Sequence, residues 1–207
     1  MEFRLGIWEV AVLALLREAP MHPYQMQGLL RLRHKDDILV LKRGSLYHAI
    51  GRLMRASLIA VQTRDREGKR PERTIYRITP AGLDALVNTL RRIVASPRRE
   101  SSEFMAAMSF LVHLEPEEAV RNLKERAQRL EAEVRQYTAG LAAASSHVLR
   151  INLVESEYLL AMLKAELRWV QQIEKEIQQG KLTWNLASIF RGAQAERDTA
   201  GQRKGRR

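Results

Sequence analysis

Apolar residues recur at helical spacing from the start of the chain: Leu5, Trp8, Val12 and Leu15 share one side over residues 3–18, and Ala11 and Leu16 widen it. A stripe of that width predicts a largely buried first helix. After Pro20, the string Met21-His22-Pro23-Tyr24 puts a proline at the first position of a second helix, with Met26, Leu29 and Leu30 inward and a fade near Arg33. A charged connector with Lys35, Asp36 and Asp37 leads to Lys42-Arg43-Gly44-Ser45, where glycine and serine open a third helix running to Ala56.

The periodicity then changes. Leu58-Ile59-Ala60-Val61-Gln62-Thr63 and Thr74-Ile75-Tyr76-Arg77-Ile78-Thr79 are β-rich runs flanking a polar stretch with Gly68 and Pro71, which predicts a hairpin. Thr79-Pro80-Ala81-Gly82 supplies a cap and a first-turn proline for a fourth helix with Leu83, Leu86, Val87 and Leu90 inward. Helix, helix, helix, hairpin, helix is the order of a winged helix-turn-helix.

Ala95-Ser96-Pro97-Arg98-Arg99 breaks this pattern, so a domain boundary is expected there. Phe104 to Leu114 is expected to be a short apolar helix, followed by Glu115-Pro116-Glu117-Glu118, a composition suited to a helix start. Leu123, Ala127, Leu130, Val134, Tyr137 and Leu141 then alternate at spacings of four and three, a heptad-like seam that needs a partner. A last long helix is expected from Val148 to Gln178, with Leu153, Leu160, Leu163, Leu167 and Val170 inward and Gly180 ending it. The fold class read from these patterns is mainly α: a winged helix-turn-helix (1–95), an antiparallel, coiled-coil-like helical dimerisation domain (96–190) and a disordered basic tail (191–207).

Composition narrows the function. No cysteine is present, which excludes disulfides, thiolate metal sites and a cysteine nucleophile and suits a reducing cytoplasm. The longest apolar run, Val10 to Leu16, is far short of the roughly 20 residues a membrane helix needs. A secretory signal is not expected either, because Glu2 offsets Arg4 and Glu9 interrupts the apolar stretch. The formal net charge is +11, of which residues 1–95 carry +8, residues 96–190 carry −1 and the last 17 residues +4. A basic folded half joined to a neutral helical half suits a polyanion-binding module mounted on an assembly module.

On a wheel of about 100° per residue, Leu46, Ala49, Ile50 and Leu53 of the third helix form an inward stripe. Ser45, His48, Arg52, Arg55 and the glycines 44 and 51 fall opposite, with Tyr47 on the flank and Lys42 and Arg43 at the entry. That small, basic, donor-rich face suits close approach to a major groove, where arginine can fork to guanine. An ordinary solvated helix face would look similar. Around Gly68 the hairpin adds Arg64, Arg66, Lys69, Arg70 and Arg73, partly offset by Asp65, Glu67 and Glu72. These bases fit either a wing on the phosphate backbone or a self-neutralised turn.

His22-Pro23-Tyr24, Gly44-Ser45-Leu46-Tyr47 with Arg52-Leu53, Leu58-Ile59, Arg70-Pro71-Glu72-Arg73 with Tyr76, and Ile78-Thr79-Pro80-Ala81-Gly82 together resemble the PadR family of transcriptional regulators over about residues 5–90. The resemblance implies a dimer built from C-terminal helices, repression of nearby genes and, in some members, release by an effector. It also implies that Gly44-Ser45-Leu46-Tyr47 begins the recognition helix, with Ser45 and Tyr47 among the DNA contacts, and Tyr24 joins them as a candidate. Pro23 stands where many relatives carry glycine, and His48 where they carry proline.

No catalytic constellation is visible: the five histidines lack metal-ligand spacing, no glycine loop cradles a phosphate, and no cofactor is implied. Glu155, Glu157 and Glu166 are expected on the solvated side of the last helix. Trp8, Phe104, Met108 and Trp169 are candidates for an apolar pocket that takes a small apolar or aromatic effector, although such residues more often form core. The expected partners are thus double-stranded DNA, a second copy of the chain and a small effector, without a membrane. Two rival readings remain: a winged-helix protein-interaction module without specific DNA binding, and a nucleoid-type protein that uses its basic tail.

Overall fold

The computed structural model describes residues 4–33, 35, 43–65, 73–97 and 102–185, with the side chains of Arg43, Arg64, Asp65 and Arg73 left out. Two compact units emerge, Met1–Arg99 and Glu100–Arg207.

In the N-terminal unit, helix α1 (Ile7–Glu18) buries Val10, Val12, Leu13, Leu15 and Leu16. It packs against α3 (Arg43–Arg55), α4 (Pro80–Ala95) and strand β2 (Arg73–Ile78). Helix α2 (Pro23–Leu32) is closed at its start by a reciprocal cap: Gln25 N–H donates to His22 Nδ1 at 3.2 Å, and His22 N–H donates to Gln25 Oε1 at 3.1 Å. Its Met26 and Leu30 complete the core with Leu46, Ala49, Ile50 and Leu53 of α3, Ile59 and Leu86. The inward stripe expected for the third helix is the buried one.

Strand β1 (Ile59–Asp65) pairs antiparallel with β2, Ile59 opposite Ile78 and Val61 opposite Tyr76. Between Val61 and Thr63 the register shifts, admitting Gln62 as an extra residue. The edges of the hairpin differ from expectation. Leu58 belongs to the preceding turn, where its N–H donates to Leu53 O at 3.0 Å, and Thr79 is the cap of α4. The sequence pattern also did not reveal that Met21 and Tyr76 exchange backbone hydrogen bonds of 3.1 Å, which sets the link between α1 and α2 beside β2.

Thr79 explains the local sequence at this junction. Its Oγ1 accepts from Gly82 N–H at 3.1 Å, and the same hydroxyl lies 3.0 Å from Leu58 O. The first turn of α4 therefore lies directly on the Leu58 peptide, close enough that a Cβ on Gly82 would come within 2.0 Å of Leu58 O. The core ends in these first turns: Leu86 is buried, Leu83 and Val87 are half-buried, and Leu90, expected inward, is exposed with Ile93 and Val94.

Glu18 at the end of α1 takes a forked pair from Arg33, at 2.5 and 2.7 Å, just beyond α2. The Arg33 hydrogen bonds hold the Glu18 carboxyl below its ordinary value of 4.5. A carboxyl depressed in the folded state stabilises fully above the unfolded value and loses that contribution as pH falls through the folded one. Wild type and Glu18→Gln should therefore differ slightly in Tm at pH 7 and converge below pH 4.5. A Tm difference that does not shrink in acid would contradict this. The effect is small because both side chains are near half-exposed.

In the C-terminal unit, the expected single helix from Phe104 to Leu114 is broken. Helix α5 (Glu103–Met108) is capped by Ser102 Oγ, which accepts from Met105 N–H at 3.1 Å, and a separate 3-10 turn follows at Leu111–His113. The seam helix α6 (Pro116–Ala144) finds its partner in the same chain: Ala119, Leu123, Ala127 and Leu130 pack with Leu163, Val170 and Ile177 of α7 (Val154–Gln178). The two run antiparallel, since Trp184, beyond α7, donates from Nε1 to Leu114 O, before α6, at 2.8 Å. Helix α7 starts later than expected, after a 3-10 turn at Arg150–Asn152, and Leu159 rather than Leu160 joins the core. Gly180, in the left-handed region at φ 66°, follows its end.

Two acids are not simply solvated. Glu166 accepts from Arg126 Nε at 2.7 Å, linking α7 to α6, and Glu157 pairs with Arg150 at 3.0 Å.

Candidate nucleic-acid interface

Helix α3 contains no acidic residue, and its outward arc exposes Gly44, Tyr47, His48 and Arg55, with Gly51 half-exposed between them. The arc is outward because Leu46, Ala49, Ile50 and Leu53 take the opposite side into the core. Tyr47 keeps 59% of its surface exposed, a large apolar ring on a solvent face. A Cβ added at Gly44 or Gly51 would meet nothing within 4 Å. Gly51 packs against nothing among the described residues, yet in a helix interior glycine costs up to about 1 kcal/mol relative to alanine.

Tyr24, near the start of α2, is 78% exposed and stacks on His22 with ring centroids 6.3 Å apart. Ser45 is half-buried at one edge of the α3 arc. The expected contacts Lys42, Lys69 and Arg70, and the side chains of Arg43 and Arg73, lie outside the described residues, as do the wing tip and the basic tail 191–207.

Arg52 differs from the simple picture of an outward base-reading side chain. Its Nη1 lies 3.0 Å from Glu9 Oε1, and its Nη2 donates to Arg4 O at 3.2 Å. Glu9 is 3% exposed, and its other oxygen accepts from Gly6 N–H at 2.9 Å. The sequence marked Glu9 only as a break in the apolar stretch, although it also signalled a buried ion pair. Leu5, Val12, Leu13 and Leu16 stand four before and three, four and seven after it, so a carboxylate occupies a core position of α1 and requires a cation.

The four aromatic and methionine candidates for an effector pocket do not share one unit. Trp8 packs against the N-terminal core. Phe104 and Met108 line a groove of about 490 Å³ in the C-terminal unit, with Leu111, Leu123, Arg126 and Leu130. Trp169 meets Phe104 edge-on at 5.9 Å, and the Arg126 guanidinium lies 3.6 Å from the Phe104 ring centre. Among the described residues no group of three histidines or carboxylates could hold a metal, and no helix is long and apolar enough to cross a membrane.

Residues 12–88 match the model of the transcriptional regulator PadR-like family. The fold is similar to Bacillus subtilis PadR in complex with operator DNA, at 18% identity and a TM-score of 0.68 over 84% of this chain and 99% of that one. It is equally similar to Bacillus subtilis PadR in complex with p-coumaric acid, at 18% identity and 0.68 over 84% and 99%. The PadR-like regulator BC1756 from Bacillus cereus follows at 15% identity and 0.58 over 84% and 99%. No curated protein matches. At these identities the likeness establishes the fold: mainly helical, a winged helix followed by a helical region, as the sequence pattern indicated. The family whose model residues 12–88 match, and these structural neighbours, are transcriptional regulators, not enzymes.

Proposed function

We propose that this chain is a cytoplasmic, sequence-specific DNA-binding repressor that acts as a homodimer on a palindromic operator and is released by a small apolar or aromatic effector. The observation that carries this reading is the outward arc of α3, free of acids and holding two glycines at which an added Cβ would meet nothing within 4 Å among the described residues. Such a surface admits a groove closely, with Tyr47, His48 and Ser45 at base edges or phosphates and Arg55 beside them. Tyr24, Lys42, Arg43, Lys69, Arg70 and Arg73 complete the set of contacts in this reading. The operator complex of Bacillus subtilis PadR supports the DNA partner, and the p-coumaric acid complex supports an aromatic effector.

The C-terminal groove of about 490 Å³ falls within the ~300–1,000 Å³ range of small-molecule sites. Dimerisation is supported by α7, whose inner side is taken by α6 while Tyr158, Met162 and Trp169 remain exposed. A twofold pairing would set the two recognition helices roughly 34–36 Å apart, facing successive major grooves.

Gly51→Ala tests the reading through effects of opposite sign. Alanine should stabilise the helix by up to about 1 kcal/mol, raising Tm by a few degrees. In a binding titration the added methyl should weaken operator affinity by on the order of tenfold, or about 1.4 kcal/mol. Raised stability with unchanged affinity would mean that nothing approaches this face.

A further inference from the structure

Glu9 and Arg52 form a bridge whose geometry is specific on both sides. The Glu9 carboxylate accepts from Gly6 N–H through one oxygen and faces Arg52 Nη1 through the other; Arg52 in turn donates from Nη2 to Arg4 O. The chain entering α1, the first turn of α1 and the middle of α3 are thereby joined through one carboxylate and one guanidinium.

Stability alone gives little reason for this arrangement. Glu9 stands among Leu5, Val12, Leu13 and Leu16 at helical spacing, and an apolar residue in place of a buried ion pair is often neutral or stabilising. What the pair does supply is direction. Apolar stripes tolerate small rotations of one helix on another, whereas a planar guanidinium held at two of its nitrogens by two fixed acceptors does not. With Leu46 at 0°, Arg52 falls at about 240° on α3 and Ser45 at about 260°, along the edge of the outward arc that faces α1.

We infer that Glu9 and Arg52 are a positioning pair for the recognition helix, setting the rotation of α3, and with it the aim of Ser45, Tyr47 and His48, without Arg52 itself reading a base. This rests on the DNA-binding reading proposed above. Arg52 is spent on the protein's own acceptors, and Glu9, which touches no DNA, contributes to specificity through it.

The test uses the full chain and two duplexes, one carrying the operator and one unrelated, titrated across a range of salt with folding checked by circular dichroism. Glu9→Gln preserves the shape of the side chain while removing its charge; Arg52→Gln removes the guanidinium; Arg52→Lys keeps the positive charge but loses the planar fork. Each variant is expected to lose on the order of tenfold in operator affinity, with a fall in the operator-to-unrelated ratio. The double variant Glu9→Gln/Arg52→Gln should lose no more than either single one. The slope of log affinity against log salt should stay that of wild type.

A slope reduced by about one in Arg52→Gln would mean a direct phosphate contact and overturn the inference. So would an Arg52→Lys or Glu9→Gln protein that is folded and binds like wild type. Should Glu9→Gln fail to fold, the salt slope of Arg52→Gln and the failure of Arg52→Lys to restore affinity decide the matter from the exposed side. A wild-type protein that binds both duplexes alike overturns the functional reading itself, a result distinct from any of these.

Discussion

Alanine at Gly82 should cost the N-terminal unit roughly 3 kcal/mol or more, at or beyond the upper end of overpacking effects. The new Cβ would fall 2.0 Å from Leu58 O and 3.0 Å from both the Leu58 carbonyl carbon and Ile78 Cγ1. The nearest obstacle is backbone, not the end of a flexible side chain, so relief requires lifting the first turn of α4 from the turn between α3 and β1. That movement breaks the Thr79 contacts to Leu58 and opens the core around Leu86. At about 4–8 °C per kcal/mol for a unit of this size, the transition should drop by more than 10 °C or be lost. Thermal unfolding followed by circular dichroism reads it directly. A Gly82→Ala protein melting within a few degrees of wild type would mean that α4 does not seat on Leu58. Gly51→Ala is the internal control, the same substitution where a Cβ meets nothing.

The second large effect concerns assembly. Tyr158 and Met162 stand four apart on α7, 68% and 52% exposed, while Leu163, Val170 and Ile177 fill the contact with α6. An amphipathic helix with one apolar side satisfied and another left in water favours a further apolar partner. In the proposed dimer that partner is the same face of a second copy. Aspartates at both positions, Tyr158→Asp/Met162→Asp, should leave the α6–α7 hairpin folded but produce monomers in sedimentation equilibrium. Operator affinity should fall on the order of 100-fold, because the two half-sites are no longer engaged by one molecule. A variant that sediments as a dimer and binds as wild type would place the pairing surface elsewhere.

Elements governed by local rules were legible in the sequence. The inward stripe of α3, the Thr79-Pro80 start of α4 and the seam of α6 depend on spacing and capping within a few residues, and the structure contains all three. Features governed by contacts distant in sequence were not. Nothing near Met21 indicates pairing with Tyr76, and nothing near Gly82 indicates that Leu58 O lies against it. The seam of α6 announced a partner helix without saying that α7 of the same chain would supply it. Helix α5 ends early because Ser109 and Phe110 turn, although the apolar run continues to Leu114. In the candidate interface, the exposure of Tyr47 and His48 followed from the wheel, whereas the pairing of Arg52 with Glu9 joins residues 43 positions apart. A charge on the apolar stripe of α1 was the visible trace of that pairing.

In the proposed function, the outward arc of α3, carried on a paired chain, reads a particular DNA sequence. A footprint of the purified protein on the DNA upstream of its own gene, at about physiological salt and with excess competitor DNA, tests it most directly. Protection of one short, roughly twofold-symmetric segment is expected, lost steeply as salt rises because several phosphates are neutralised together. Uniform, weak protection along the whole fragment would contradict it and favour a basic module that binds an acidic protein partner or coats DNA without regard to sequence.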